Sequence, residues 1–190
     1  VRRQRQMCIR DRSTYEPVLF PKMPKKSEKE IKALTKSLYQ IFSFRRTIRN
    51  FSQTPISEEI IQNCIKIAAM APSGANHQPW HFVAISSKTI KMKIRHAAEK
   101  EEKKFYSSLN NDEWLRALEP IGTGPNKLHL EKAPWLIVIF AERYGIKTDG
   151  STYKNYYVPE SVGIACGFLI SAIHQAVSYT HLRAHETGYN

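Results

Sequence analysis

The segment Ala71–Trp80 constrains the fold of this chain more than any other feature. It reads Ala-Pro-Ser-Gly-Ala-Asn-His-Gln-Pro-Trp, and such small residues let backbone N–H groups approach a ligand closely. The segment follows an amphipathic helix pattern that begins after Ser57, and it precedes the apolar run His81–Ile85. Along the whole chain, predicted helices alternate with few predicted strands, which predicts an α+β domain.

Three arginines are clustered upstream of that helix, in the segment Arg45-Arg46-Thr47-Ile48-Arg49. Guanidinium groups carry a fixed positive charge that suits a phosphate monoester. Together with the Ala71–Trp80 loop, this segment resembles the flavin-binding signature of the nitroreductase superfamily. The resemblance covers about 38–176 and implies a nitroreductase-like fold, with a central mixed sheet flanked by helices. It further implies a domain-swapped homodimer that holds FMN between its protomers.

The resemblance also implies which residues would contact the flavin. The arginines would bind its phosphate, and Thr47 would hydrogen-bond the flavin or its ribityl chain. The set expected to bind FMN is Arg45, Arg46, Thr47, Ile48, Arg49, Ser73 and Gly74. No side chain is assigned a catalytic role, because the redox chemistry belongs to the cofactor.

A second constellation consists of Glu102, Tyr106 and Lys127. The first two are four residues apart, so that on a helix both project from one face. The arrangement resembles the iodotyrosine deiodinase family, in which a Glu, a Tyr and a Lys bind the amino-acid end of a halotyrosine. That resemblance implies that Glu102 binds the ammonium, that Lys127 binds the carboxylate, and that the backbone N–H of Ala75 points at the phenolate.

Other interpretations of these residues stay open at this point. The region around Glu102 is almost entirely charged, so its carboxylate could belong to a solvated helix face. A general nitroreductase acting on nitroaromatics or quinones with NAD(P)H is one alternative function. A non-catalytic flavin-binding or interaction module is another. No dinucleotide-binding fingerprint accompanies the loop, so the sequence does not name the electron donor.

Composition argues against several other classes of protein. The net charge is +12, but the first twelve residues contain five arginines against one aspartate and so contribute +4 of it. The remaining basic residues are spread along helices, which does not favour nucleic-acid binding. No apolar run is long enough to span a membrane. The histidines lack metal-ligand spacing, and His77 is expected to be a hydrogen-bonding or surface residue.

The three cysteines, Cys8, Cys64 and Cys166, are widely spaced and show no ligand pattern. Cys64 and Cys166 fall within predicted helices beside apolar neighbours, so we expect buried free thiols. Free thiols are typical of a reducing compartment, which predicts a cytoplasmic protein.

The two ends differ in character from the rest of the chain. We interpret 1–13 and 177–190 as non-native or disordered, since both resemble translated sequencing-adapter read-through. Between them we place an N-terminal extension and helix, 14–37, and the flavin-binding domain, 38–176. The family supplies a Thr and an Arg after its last helix, and neither is recognisable here, so we expect a C-terminally truncated domain.

Local signals predict the main elements of the middle. A capping box, Ser27 to Glu30, opens a helix, and Ser87–Leu109 is expected to be a long charged helix. The segment Asn110–Lys132 contains glycine and proline and is predicted to be a mobile lid. A strand is expected at Trp135–Ala141, and the last helix at Glu160–Ala176.

Overall fold

The computed structural model describes residues 23–108, 116, 124–147 and 149–181 of the chain. The chain divides into two units, which are described separately. The first unit comprises the described parts of 1–47, 58–82 and 139–180, and the second comprises those of 48–57, 83–138 and 181–190.

Three helices build the first unit: α1 (Glu28–Ser43), α2 (Glu58–Ala68) and α5 (Val158–His181). The predicted capping box of α1 is confirmed, since Glu30 N donates to Ser27 Oγ over 3.3 Å and Ser27 N donates to Glu30 Oε2 over 2.7 Å. These bonds satisfy backbone donors that the first turn of a helix leaves unpaired. In the described part of the chain, no helix is both long and apolar enough to cross a membrane.

The last helix, α5, is longer than predicted at both ends. It begins at Val158 because Pro159 fits the first turn, where its missing N–H is not needed. It continues to His181, past the expected end at Ala176, and no Gly or Pro occurs between these residues to stop it.

The core of the first unit lies between α2, the start of β1 and α5. Cys64 is a buried free cysteine, as expected, whereas Cys166 is half-buried. Burial raises the pKa of the Cys64 thiol, which keeps it protonated. The buried apolar residues of this core are Ile61, Cys64, Ile65, Ala68, Ala71, Trp80, Phe82, Val158, Ala165, Leu169 and Ala172.

The strands of the described residues form two separate pairs, and the expected central mixed sheet is wrong for them. Strand β1 (Trp80–Ile85) lies beside β2 (Leu136–Ala141). Glu142 N donates to Pro79 O over 3.0 Å, so the start of β1 lies beside the end of β2 and the pair is antiparallel. The second pair is a hairpin whose short strands bond to each other.

The hairpin, β3 (Tyr144–Ile146) and β4 (Thr152–Lys154), was not predicted. The sequence does carry a signal for it, since Asp149-Gly150 is a frequent turn pair between strands. Gly150 has a φ of 81°, a left-handed conformation that favours glycine. Its N–H donates to Lys147 O over 3.0 Å and closes the turn.

Among the described residues of the second unit, the helices α3 (Lys88–Ser108) and α4 (His129–Lys132) pack against each other. The bounds of α3 agree with the prediction to within one residue at each end. The first part of the predicted lid, 110–115 and 117–123, lies outside the described residues. Trp135 Nε1 donates to Ile56 O over 3.0 Å and fixes the residues just before β2 to the segment that contains Arg49.

Candidate functional site

The arginine segment begins where α1 ends, and its guanidinium groups are exposed. Arg45 N donates to Phe42 O over 3.1 Å, which continues the last turn of the helix. Arg46 Nη1 donates to Ser43 O over 2.7 Å and to Arg45 O over 2.9 Å. Both bonds use one nitrogen of a group that has five N–H donors. The charge of Arg46 is therefore held near the end of α1 while it faces solvent.

Arg49 belongs to the second unit, where its charge acts on His129. Burial lowers the pKa of His129, and the positive charges of Lys127 and Arg49 lower it further. The positive charges of Lys127 and Arg49 thus both act at the position of this imidazole. Positive charge there favours an anionic ligand group, and Arg49 and Lys127 were both predicted to bind one.

The predicted flavin loop has an unusual backbone. A short 3-10 helix covers Gly74–Asn76. Ala75, Asn76 and Gln78 have positive φ angles of 48°, 54° and 50°. Residues with a Cβ rarely adopt this conformation, and its cost must be offset by surrounding structure. Strain of this kind is concentrated at binding and active sites, so the loop conformation supports a ligand-binding function.

Two hydrogen bonds from backbone N–H groups to serine side chains hold the loop in place. Gln78 N donates to Ser73 Oγ over 2.9 Å within the loop. Gly74 N donates to Ser161 Oγ over 3.2 Å, and Ser161 is buried in the first turn of α5. Sequence reasoning did not identify Ser161 as part of the site.

His77 is fixed by a hydrogen bond, as expected for this loop residue. Its Nδ1 lies 3.0 Å from Asn155 Oδ1, and its ring contacts those of Tyr153 and Tyr156. Asn155 is buried, and its Nδ2 donates to Glu142 O over 2.7 Å. Asn155 therefore connects the loop to the ends of β2 and β4. It was missed because no local motif marks it.

Gly74 packs closely against the residues just before α5. A Cβ placed on Gly74 would lie 2.7 Å from Tyr156 O and 3.0 Å from Tyr157 Cδ2, so only glycine fits there. Ala75, the next residue, is exposed. The roles of Ser73, Gly74 and Ala75 stay predictions.

In the second unit, the structure brings together two of the four predicted substrate-binding residues. Lys127 Nζ lies 3.2 Å from Glu102 Oε2, and the two side chains are 17% and 35% exposed. Tyr106 lies one turn further along α3 and is half-buried. Glu102 and Lys127 are 25 positions apart in the sequence, so their contact does not follow from local chain geometry. The pairing therefore argues against the interpretation that Glu102 belongs to a purely solvated helix face.

Further charged residues of α3 bind the same segment. Arg95 Nε donates to Glu99 Oε1 over 2.9 Å, and Arg95 Nη1 donates to Glu131 Oε2 over 2.6 Å. Glu99 Oε1 also accepts from the backbone N of Lys127 over 2.9 Å. The hydrogen bond from Arg95 lowers the pKa of Glu99, and the bond from Lys127 lowers it further.

Lys91, near the start of α3, is a buried lysine. Its Nζ donates to Ala133 O over 2.5 Å and to Pro134 O over 3.3 Å. Burial lowers the pKa of Lys91, and the charge of Lys88 lowers it further. Sequence reasoning identified none of Lys91, Arg95 and Glu99 as partners of the Lys127 segment.

The chain is similar to known proteins over most of its length. The family model described as "Nitroreductase family" matches residues 43–176. An iodotyrosine deiodinase of Haliscomenobacter hydrossis is 54% identical over 145 residues, which cover 75% of this chain and 65% of that protein. An iodotyrosine deiodinase of Daphnia pulex is 39% identical over 160 residues, which cover 84% of this chain and 53% of that protein.

A solved structure is also similar to this chain. The crystal structure of an oxidized iodotyrosine deiodinase bound to FMN and 3-iodo-L-tyrosine matches with a TM-score of 0.63 and 30% identity. The match covers 73% of this chain and 69% of that one. The chain thus spans about half to two thirds of the length of these two iodotyrosine deiodinases.

Proposed function

Because this chain belongs to the nitroreductase family, we propose that it is part of an FMN-dependent oxidoreductase that removes halide reductively from halotyrosines. The ion pair between Glu102 and Lys127 is the observation that carries this proposal. A general nitroreductase has no need of a paired carboxylate and ammonium to recognise a nitroaromatic ring. The iodotyrosine deiodinases similar to this chain support the same substrate class.

The substrate would bind through its amino-acid end. A halotyrosine carries an ammonium and a carboxylate, which match Glu102 and Lys127 in charge. On binding, the single ion pair of the free protein is exchanged for two pairs with the substrate, so no buried charge is left alone. Tyr106 lies on the same face of α3, where its hydroxyl could bond to either group. These residues would therefore orient the aromatic ring of the substrate.

The loop would act at the phenolic end of the same substrate. The backbone N–H of Ala75 can donate a hydrogen bond to the phenolate oxygen, which stabilises negative charge there. Gly74 permits close approach, and Ser73 would lie against the cofactor. When bound and reduced, FMN would supply the two electrons that, with one proton, convert the carbon–halogen bond into a carbon–hydrogen bond and a halide ion. NAD(P)H is the electron donor that we propose for its reduction.

Arg46→Ala is expected to weaken FMN binding by about 1.5–3 kcal/mol, because a charge-assisted phosphate contact is lost. Binding is measured by titrating the apoprotein with FMN and recording the visible spectrum after desalting. Lys32→Ala is the matched control, since it removes a positive charge from an exposed pair on α1. Wild-type protein that folds yet stays colourless with added FMN would contradict the proposed cofactor.

The substrate class is tested by turnover. FMN-loaded protein should dehalogenate iodotyrosine with a reductant and should release iodide and tyrosine in equal amounts. Turnover of nitroaromatics with NAD(P)H and no reaction with iodotyrosine would instead identify a general nitroreductase. Stable FMN binding with no turnover of either substrate class would identify a non-catalytic flavin-binding module.

A second copy of the chain would complete the first unit as a domain-swapped homodimer. No residue of α1 is buried, although Ile31, Leu34 and Leu38 form an apolar face on it. On α5, Phe168 is also exposed, and it lines an apolar groove of about 490 Å³. Apolar faces of this kind are typical of an interface between protomers.

Leu34→Asp is expected to shift the protein from dimer to monomer, because a carboxylate would enter the apolar interface of α1. The molar mass is measured by light scattering during gel filtration. Lys36→Asp, on another face of the same helix, is the control and should remain dimeric. A monomeric wild type, or a dimer that Leu34→Asp leaves intact, would disprove this interface.

A further inference from the structure

One face of α3 bonds to the segment 127–134 at successive turns, and the partners occur in reverse order. Along the helix, Lys91 binds the carbonyls of Ala133 and Pro134, and Arg95 binds Glu131. Glu99 and Glu102 then bind the backbone and the side chain of Lys127, respectively. Positions 91, 95, 99 and 102 are three or four apart, so all four side chains project from one side of the helix.

Glu99 is the member of this series that acts on the backbone of Lys127. Its Oε1 accepts both the Lys127 N–H and Arg95 Nε, each over 2.9 Å, and its side chain is only 14% exposed. A bond to the backbone fixes the position of the Lys127 Cα, whatever the side chain does. Arg95 fixes the Glu99 carboxylate in turn and binds the following turn of the segment through Glu131.

We propose that Arg95 and Glu99 are positioning residues, which hold the segment that carries Lys127 against α3 so that its ammonium lies beside Glu102. The identity of the substrate rests on the proposed function, whereas the placement of Lys127 beside Glu102 does not. Lys127 thus reaches the site already ordered, and the substrate need not order the segment on binding. Preorganisation of this kind raises affinity because less conformational entropy is lost.

A purely structural role for the network makes a different prediction. If Arg95 and Glu99 only stabilise the fold, their removal should lower stability and affect every ligand alike. If they position Lys127, their removal should weaken the binding of ligands that contact Lys127. In a variant that lacks Lys127, the same removal should leave the affinity for these ligands unchanged. The pKa of Glu99, which Arg95 and Lys127 hold below its usual value, is consistent with a bonded carboxylate under both views.

The test is a double-mutant cycle on FMN-loaded, oxidised protein. Glu99→Ala should weaken iodotyrosine binding about tenfold, as a small displacement of a binding group does. FMN affinity and the affinity for a simple halophenol should not change. In the Lys127→Ala background, Glu99→Ala should cause no further loss of iodotyrosine affinity. Glu101→Ala is the control, since it breaks an exposed pair with Lys104 on the same helix.

A second readout needs no ligand. Hydrogen exchange of the Lys127 amide should become faster in Glu99→Ala, because its acceptor is gone, and should stay protected in Glu101→Ala. If wild-type protein binds no iodotyrosine, the proposed function fails, and this measurement still decides the positioning role. Should Glu99→Ala not fold, Glu99→Gln keeps a neutral acceptor, and it should show an intermediate exchange rate and affinity.

Two results would overturn the proposal. One is independent, multiplicative losses from Glu99→Ala and Lys127→Ala in the cycle. The other is unchanged exchange of the Lys127 amide in Glu99→Ala together with wild-type affinity for iodotyrosine.

Discussion

Glu102→Gln is expected to weaken iodotyrosine binding by about 1.5–3 kcal/mol, because the substrate ammonium loses its charged partner. In the wild type, the free protein pairs Glu102 with Lys127 over 3.2 Å, and substrate exchanges this pair for two. The variant can still bind the substrate carboxylate through Lys127, so binding is reduced and not abolished. Isothermal titration into oxidised, FMN-loaded protein measures the difference.

A ligand without the ammonium separates this explanation from a general loss of structure. The iodinated hydroxyphenylpropionate analogue has only a carboxylate, so in the wild type it takes Lys127 and leaves Glu102 without its partner. In Glu102→Gln that penalty is absent, and the preference for iodotyrosine over the analogue should therefore shrink. A halophenol has neither charge and should bind both proteins alike.

Glu101→Gln is the control for this experiment, because Glu101 is exposed and pairs only with Lys104 one turn along α3. It should bind iodotyrosine as the wild type does. Equal iodotyrosine affinities in wild type and Glu102→Gln would assign Glu102 to a solvated helix face and leave a general nitroreductase.

Gly74→Ala is expected to destabilise the protein by about 1–3 kcal/mol and to impair FMN binding. The new Cβ would lie 2.7 Å from Tyr156 O, a backbone atom that cannot rotate away as a flexible side chain could. The loop would have to move, which would strain the bond from Gly74 N to Ser161 Oγ. Urea unfolding of the apoprotein measures the first effect, and titration with FMN measures the second.

Gly124→Ala is the matched control, because no heavy atom lies within 4 Å of a Cβ placed there. Its midpoint of urea unfolding and its affinity for FMN should equal those of the wild type. The close packing of the loop on Tyr156 would be disproved if Gly74→Ala behaved in the same way as this control.

Local sequence signals were sufficient for most helices and for the longer strands. Ser27 and Glu30 specify the start of α1 through bonds between residues three apart. The apolar periodicity of α2 and the apolar runs of β1 and β2 likewise depend on near neighbours. The flavin signature was recognised from contiguous residues, and Glu102 and Tyr106 were placed on one face by their spacing.

The contacts between residues far apart in the chain were decided only by the tertiary structure. Gly74 bonds to Ser161, 87 residues away, and His77 bonds to Asn155, 78 residues away. Lys91 binds Ala133 across 42 residues, and Glu99 binds Lys127 across 28. No periodicity or spacing rule links such positions, because their contact depends on how whole elements pack. The sequence alone therefore determined which residues were candidates for the site, and packing decided which partners hold them in place.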